Sequence, residues 1–272
     1  MRQRIADIAT DAGADRIGVA SYDYHHRTRW GCDADAWFHA ASTIKVPVLL
    51  GVFAAIDDGR LAPTSRVHVR NRFLSVVDGR PYRIERSRDS NGAVHAAVGH
   101  TLQVRELAHH MIVTSSNLAT NLLIDIVGLV EIRRTLERLG LDGIALRRGV
   151  EDMAAWEQEI NNEVTADGLL RALRVLQEDE HFPEELRGEM LDILHGQAFA
   201  SGIPAGLPAD ARVAHKTGEI STVAHDAGIV FLPDREPYVV VILTEWKPEV
   251  AGRNEAIAAI SRAVFESVTD HV

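Results

Sequence analysis

The chain opens with a stretch, Arg2 to Ala12, whose apolar positions recur at helical spacing, followed by DRIGVASYDY, where Ile17, Val19 and Ser21 fall on alternate positions. The first pattern predicts a helix and the second a strand, with a further strand through Arg29 and Trp30 after a turn at His25, His26 and Arg27. From Ser42 to Asp58 the pattern is again helical. Between Val46 and Ile56 it is apolar on every side, which marks a helix buried all round. Pro47 removes one backbone donor near its start and predicts an irregular first turn.

Residues from about Leu61 to His100 carry short β-prone pieces broken by Asp-Gly and Asn-Gly turn signals, and they assign themselves to no regular element. Helical patterning resumes in VRELAHHMIV, SNLATNLLIDIVG and VEIRRTLERLG, the last closed by Gly140, and continues at about Thr165 to Gln177 and Pro183 to Leu194. After the loop GIPAGLP come three strand-like runs, RVAHKTG, VAHDAGIVFL and YVVVILTEW. A closing helix carries Ala256, Ile257, Ile260, Ala263 and Val264 on one face. Strands at both ends around a helical middle predict an α+β fold: one antiparallel sheet built from both chain ends and flanked by terminal helices, with an all-helical inserted region. The expected division is a single domain over residues 1–272, with an α/β part of approximately 1–60 and 205–272 and a helical part of approximately 61–204. A cleft between the two parts is the natural place for a site.

Composition narrows the function. With 272 residues, 46% of them hydrophobic, the chain can bury a sizeable core, which excludes a disordered or fibrous protein. A net charge of -10 leaves no footprint for nucleic acid or an anionic membrane, so small molecules or other proteins are the expected partners. The longest charge-free apolar stretch, Val46 to Ile56, is far shorter than the roughly 20 residues a membrane span requires. Cys32 is alone, and no C-x-x-C or H-E-x-x-H spacing occurs, so neither a metal nor another cofactor is expected. The opening residues lack the apolar core of a signal peptide. The chain as given reads as cytoplasmic, or as periplasmic or secreted if it is a trimmed mature form. No G-x-S-x-G elbow, P-loop or G-x-G-x-x-G appears.

Of 29 basic residues only Lys45, Lys216 and Lys247 are lysine. Against such an arginine bias, a lysine marks a position that needs a compact charge or an amine able to lose its proton. Ser42 and Lys45 are a hydroxyl and an amine one helical turn apart, at the edge of the apolar stretch, where desolvation would lower the amine's pKa. Ser115-Ser116-Asn117 stands at the start of a predicted helix, where capping alone explains a Ser/Asn pair. Lys216-Thr217-Gly218 ends a predicted strand in an amine, a hydroxyl and a glycine that allows close approach to the backbone. The remaining candidates are histidines: His215 and His225 flank that strand, while the pairs His25-His26 and His109-His110 read as surface.

S-x-x-K, S-x-N and K-T-G in that order resemble the penicillin-recognising serine hydrolases, class A β-lactamases most of all. AASTIKVPVLL, MIVTSSNLATNLL, IPAGLP and VAHKTGEISTVAHDAGIVF look like that family's text, and the likeness runs from about Arg16 to Glu245. The resemblance implies that Ser42 is acylated by a β-lactam or ester substrate and that Lys45 takes its proton. It further implies that Ser115 relays a proton to the leaving nitrogen, that Asn117 holds the substrate amide and that Lys216 with Thr217 binds its carboxylate. The N–H groups of Ser42 and Glu219, beside Gly218, would form the oxyanion hole.

Two departures stand out. Ser116 occupies a position where class A enzymes usually have Asp. WEQEIN resembles the segment carrying the deacylating acid, with Glu157 as the water-activating base, yet Thr165 follows Asn161 after only four residues. An alternative alignment places Asn162 just before the next helix and provides no such acid. The rival expectations are therefore a penicillin-binding sensor or D-amino-acid peptidase that deacylates slowly, and a cytoplasmic esterase on the same fold.

Overall fold

The unbroken apolar run YVVVILTEW and the alternating DRIGVASYDY lie side by side in one sheet. The structure, a computed structural model, describes residues 1–178 and 180–270; Asp179 and the last two residues of the expected 205–272 part lie outside that description. Its principal elements at the amino-terminal end are α1 (Arg2–Ala12), β1 (Ala14–Asp23), β2 (Thr28–Cys32) and α2 (Lys45–Asp57). The middle holds α3 (Val104–Val113), α4 (Asn117–Val127), α5 (Leu129–Arg138), α6 (Ala166–Gln177) and α7 (Glu184–His195). β3 (Arg212–Ile220), β4 (Val223–Phe231), β5 (Tyr238–Trp246) and α8 (Arg253–Thr269) complete the chain.

The five strands form an antiparallel sheet in the order β3-β4-β5-β1-β2, so the two chain ends meet at the β5-β1 pair, where Ala20 faces Val241. The sheet is buried on both faces, which explains why β5 shows no polar alternation. Tyr238, Val240 and Ile242 pack under α1 and α8 with Ile5, Ile257, Ile260 and Val264, whereas Val239, Val241 and Leu243 join the larger core around α2. Within α2, Val46, Val48, Leu49, Leu50, Val52 and Phe53 are all buried, each contributing on the order of 1.5–3 kcal/mol. A Cβ at Gly51 would lie 2.8 Å from Ile132, so α2 and α5 approach more closely than any larger residue there allows.

The inserted region is not wholly helical. Arg66–His68 pairs with Thr101–Gln103 at the far end of this stretch, and Phe73–Leu74 pairs locally with Pro81–Tyr82. A third small sheet joins Phe38–His39 to Glu163–Val164 and Ile144–Ala145, tying the segment before Ser42 to the insertion. Side-chain caps match the helix starts: Ser116 accepts from Ala119 N at 3.1 Å, and Thr165 from Gly168 N at 2.9 Å. Among the described residues no helix is long and apolar enough to cross a membrane.

Candidate active site

A cleft of about 570 Å³ opens beside strand β3, where the sheet meets the helical region. Ser42, Ser115, Asn117, Thr217, Gly218 and Glu219 all line it; Lys45 and Lys216 are fully buried behind it. Ser42 belongs to a 3₁₀ turn, Ala41–Ile44, that runs straight into α2, the irregular start that Pro47 predicts. Ala41 enters that turn at φ +44°, a conformation that only firm surroundings sustain.

Lys45 Nζ donates to Ser115 O at 2.7 Å, Ser115 Oγ at 3.0 Å and Asn117 Oδ1 at 2.8 Å. This triple contact joins the first motif to the second. Burial pushes the Lys45 amine well below the ordinary lysine range, and the positive charge of Lys216 pushes it further, while Asp89 and Glu151 pull the other way. Ser42 Oγ has no hydrogen-bond partner among the described residues.

The third motif meets the first through β3. Lys216 Nζ donates to Thr217 O at 2.8 Å, and burial lowers its amine to about 7 against the opposing attraction of Asp226. Gly218 has no room for a side chain: a Cβ would lie 2.9 Å from Thr43 N and 3.0 Å from Ser42 N. The strand therefore rests directly on the turn that carries Ser42, with backbone N–H groups gathered at the cleft. Gly218→Ala is expected to displace that turn and to lower kcat/KM for a β-lactam by about 100-fold in steady-state assays. A native value would show that the turn yields without disturbing the site.

These three motifs converge in a chain that matches the β-lactamase enzyme family over residues 1–268. The chain belongs to the β-lactamase enzyme family. A β-lactamase from Bacteroides uniformis is 29% identical over 181 residues, covering 62% of this chain and 61% of that relative, which is under two thirds of its length. A point mutant of PBP-A, solved as an acyl-enzyme complex with penicillin G, superposes with a TM-score of 0.83 at 26% identity, covering 99% of this chain and 96% of the other. A β-lactamase from Chitinophaga pinensis gives a TM-score of 0.84 at 25% identity, with 98% and 99% covered.

One candidate of this family member departs from expectation. Glu157 ends a short helix, Met153–Glu157, with an exposed side chain, and it does not line the cleft. The helix starts at Asp152, whose carboxylate accepts from Ala155 N at 3.3 Å. From there Met153 and Trp156 turn toward the cleft, and the next residue is rotated about 100° away. The carboxylate brought to that wall is Glu151, at φ +59° and paired with Arg88 at 2.9 Å. Asn162 also lines the cleft: its Oδ1 accepts from Arg147 N at 2.7 Å and Arg148 N at 3.0 Å, and its Nδ2 donates to Arg148 O at 3.0 Å. Ala40 N donates to Asn162 O at 2.8 Å, so this residue links the loop to the segment preceding Ser42.

The histidines divide. His225 lines the cleft, and burial lowers its ring to about 4, so it is neutral, with Nε2 donating to His39 O at 2.9 Å. His215 is buried against Asp226, Nδ1 to Oδ1 2.8 Å, and supports β3 from behind. His25, His26 and His109 are exposed; His110, expected at the surface, is half-buried and accepts from Asn91 Nδ2 at 2.9 Å. The residues that motif reading passed over are Arg88, Asp89 and Arg148, whose segments carry no recognisable spacing. Arg148 is a buried cleft arginine whose Nε donates to Ile160 O at 2.8 Å.

Proposed function

We propose that the protein opens the amide of a β-lactam through an acyl-enzyme on Ser42 and releases it with water. The observation that carries this reading is the meeting of Ser42, Ser115, Asn117 and the Lys216-Thr217-Gly218 strand end in one cleft, with Lys45 bonded to the second motif. As an ammonium, Lys45 uses its three N–H groups on Ser115 and Asn117. Losing one proton frees a lone pair, and desolvation favours that state. Ser42 Oγ then bonds to the carbonyl carbon and its proton passes to Lys45. The N–H groups of Ser42 and Glu219 take up the oxyanion, worth about 3–4 kcal/mol per donor. As the C–N bond breaks, Ser115 gives a proton to the nitrogen and recovers one from Lys45. Lys216 and Thr217 hold the substrate carboxylate.

Deacylation needs a base for water. Glu151 and Glu219 are the carboxylates lining the cleft, and each is paired with an arginine at 2.9 Å, Arg88 and Arg253 respectively. Glu151 lies on the wall whose charge reaches Lys45, so the role expected of Glu157 passes to Glu151. Met153, Trp156, Phe199 and Ile220, all substantially exposed, line the mouth and suit a substrate with an aromatic acyl side chain. A second reading, persistence of the acyl-enzyme as in a penicillin-binding sensor or D-amino-acid peptidase, is favoured by one observation: Arg88 already engages Glu151.

Intact-mass spectrometry over time with penicillin G separates these. The native protein is expected to gain one adduct on Ser42 and lose it. In Glu151→Gln the adduct is expected to clear about 100-fold more slowly, and in Glu157→Gln at the native rate. A native adduct that never clears establishes the second reading, and no adduct at all overturns both.

A further inference from the structure

The Ser115–Asn117 loop is held by a residue outside it. Ser115 sits at φ +57°, in the left-handed region that residues with side chains rarely adopt, so its conformation depends on neighbouring contacts. Helix α4 starts at Asn117, and the N–H groups of its first turn have no partner within the helix. Of these N–H groups, Ser116 Oγ accepts only from Ala119 N. The others are taken by Asp89, whose side chain is fully buried. Its Oδ1 accepts from Asn117 N at 3.1 Å, and its Oδ2 from Leu118 N at 2.9 Å and from Ser116 Oγ at 3.2 Å. Asn91 N at 3.2 Å and His95 Nε2 at 3.2 Å complete the carboxylate's partners. Beside it, Ser90 Oγ donates to Thr114 O at 2.7 Å. The segment is thereby fastened along the whole back of the loop.

We infer that Asp89 is a positioning residue for the reaction: reaching in from a separate segment, it supplies the acceptors and the negative charge that keep Ser115 and Asn117 against Lys45. Position 116, where the resemblance leads one to expect Asp, is Ser, whose hydroxyl cannot accept from two backbone N–H groups while capping a third. Asp89 brings the carboxylate from 27 residues earlier in the chain. Its charge also reaches Lys45, alongside those of Lys216 and Glu151, while His95 is the titratable group facing Asp89 itself. This inference rests on the roles proposed above for Ser115 and Asn117.

The test is a pair of variants, Asp89→Asn and Asp89→Asn/Ser116→Asp, compared by kcat/KM for penicillin G across pH. The single variant is expected to lose about 100-fold in kcat/KM, and its acid limb is expected to move to lower pH because Lys45 has lost a negative neighbour while Lys216 and Glu151 remain. In the double variant, with the carboxylate restored from within the loop, both changes are expected to reverse substantially. A folded Asp89→Asn with native kcat/KM and an unmoved acid limb overturns the inference. So does a double variant that fails to fold, or that folds without recovering activity. Failure of the underlying reading looks different, since the native protein itself would then form no Ser42 adduct.

Discussion

Ser42→Ala is expected to abolish acylation: no penicillin adduct by intact mass at any time, and a fall of about a million-fold in kcat. Ser115, whose Oγ lies 3.0 Å from Lys45 Nζ, is assigned to proton transfer and is not expected to take over as nucleophile. Stability should hardly change. Ser42 Oγ has no hydrogen-bond partner among the described residues, so removing it strands no buried group, and a shift within about 0.5 kcal/mol is expected. A thermal melt run beside the mass measurement checks both statements. An adduct on folded Ser42→Ala would move the nucleophile elsewhere and remove the central assignment.

The second large effect is expected at Lys45. Lys45→Met keeps the length and apolar stem of the side chain but removes the proton acceptor, and kcat/KM should fall by about a thousand-fold. The pH profile carries the sharper test. Two buried lysines are required in opposite states: Lys45 must lose its proton to accept that of Ser42, and Lys216 must keep its own to bind a carboxylate. In the native protein kcat/KM should therefore rise with pH as Lys45, held well below the lysine range by burial, becomes neutral. It should fall again as pH passes through about 7, where Lys216 loses its charge. Because a bound carboxylate favours charged Lys216, the alkaline limb of kcat should lie at higher pH than that of kcat/KM. Lys45→Met should lose the acid limb and keep the alkaline one. An unchanged acid limb in that variant would assign it to another group.

The helices and strands at the two chain ends were legible because their signals are local. The 3.6 and 2.0 periodicities, the caps at Ser116 and Thr165 and the turn at His25–Arg27 each act within a few residues. The motif residues were legible for a similar reason: S-x-x-K places its hydroxyl and amine within one helical turn, and K-T-G ends a strand. Residues 61–100 resisted because their strands are two or three residues long, too short for a period to register.

Which loop acid enters the cleft was not legible at all. Glu151 and Glu157 are six positions apart in equally acidic sequence, and the choice between them depends on a loop hung from Arg148 and Asn162 by hydrogen bonds to backbone carbonyls and amides. Asp89 was hidden for the same reason, since its partners at the start of α4 lie 27 to 29 residues away and no spacing rule connects them. By itself, then, the sequence determined the element order, the two buried lysines and the hydroxyls beside them, because short-range sterics and the contrast of apolar and polar side chains act along the chain. The tertiary structure decided which charges face one another across the cleft, because backbone hydrogen bonds between distant loops carry no side-chain signature.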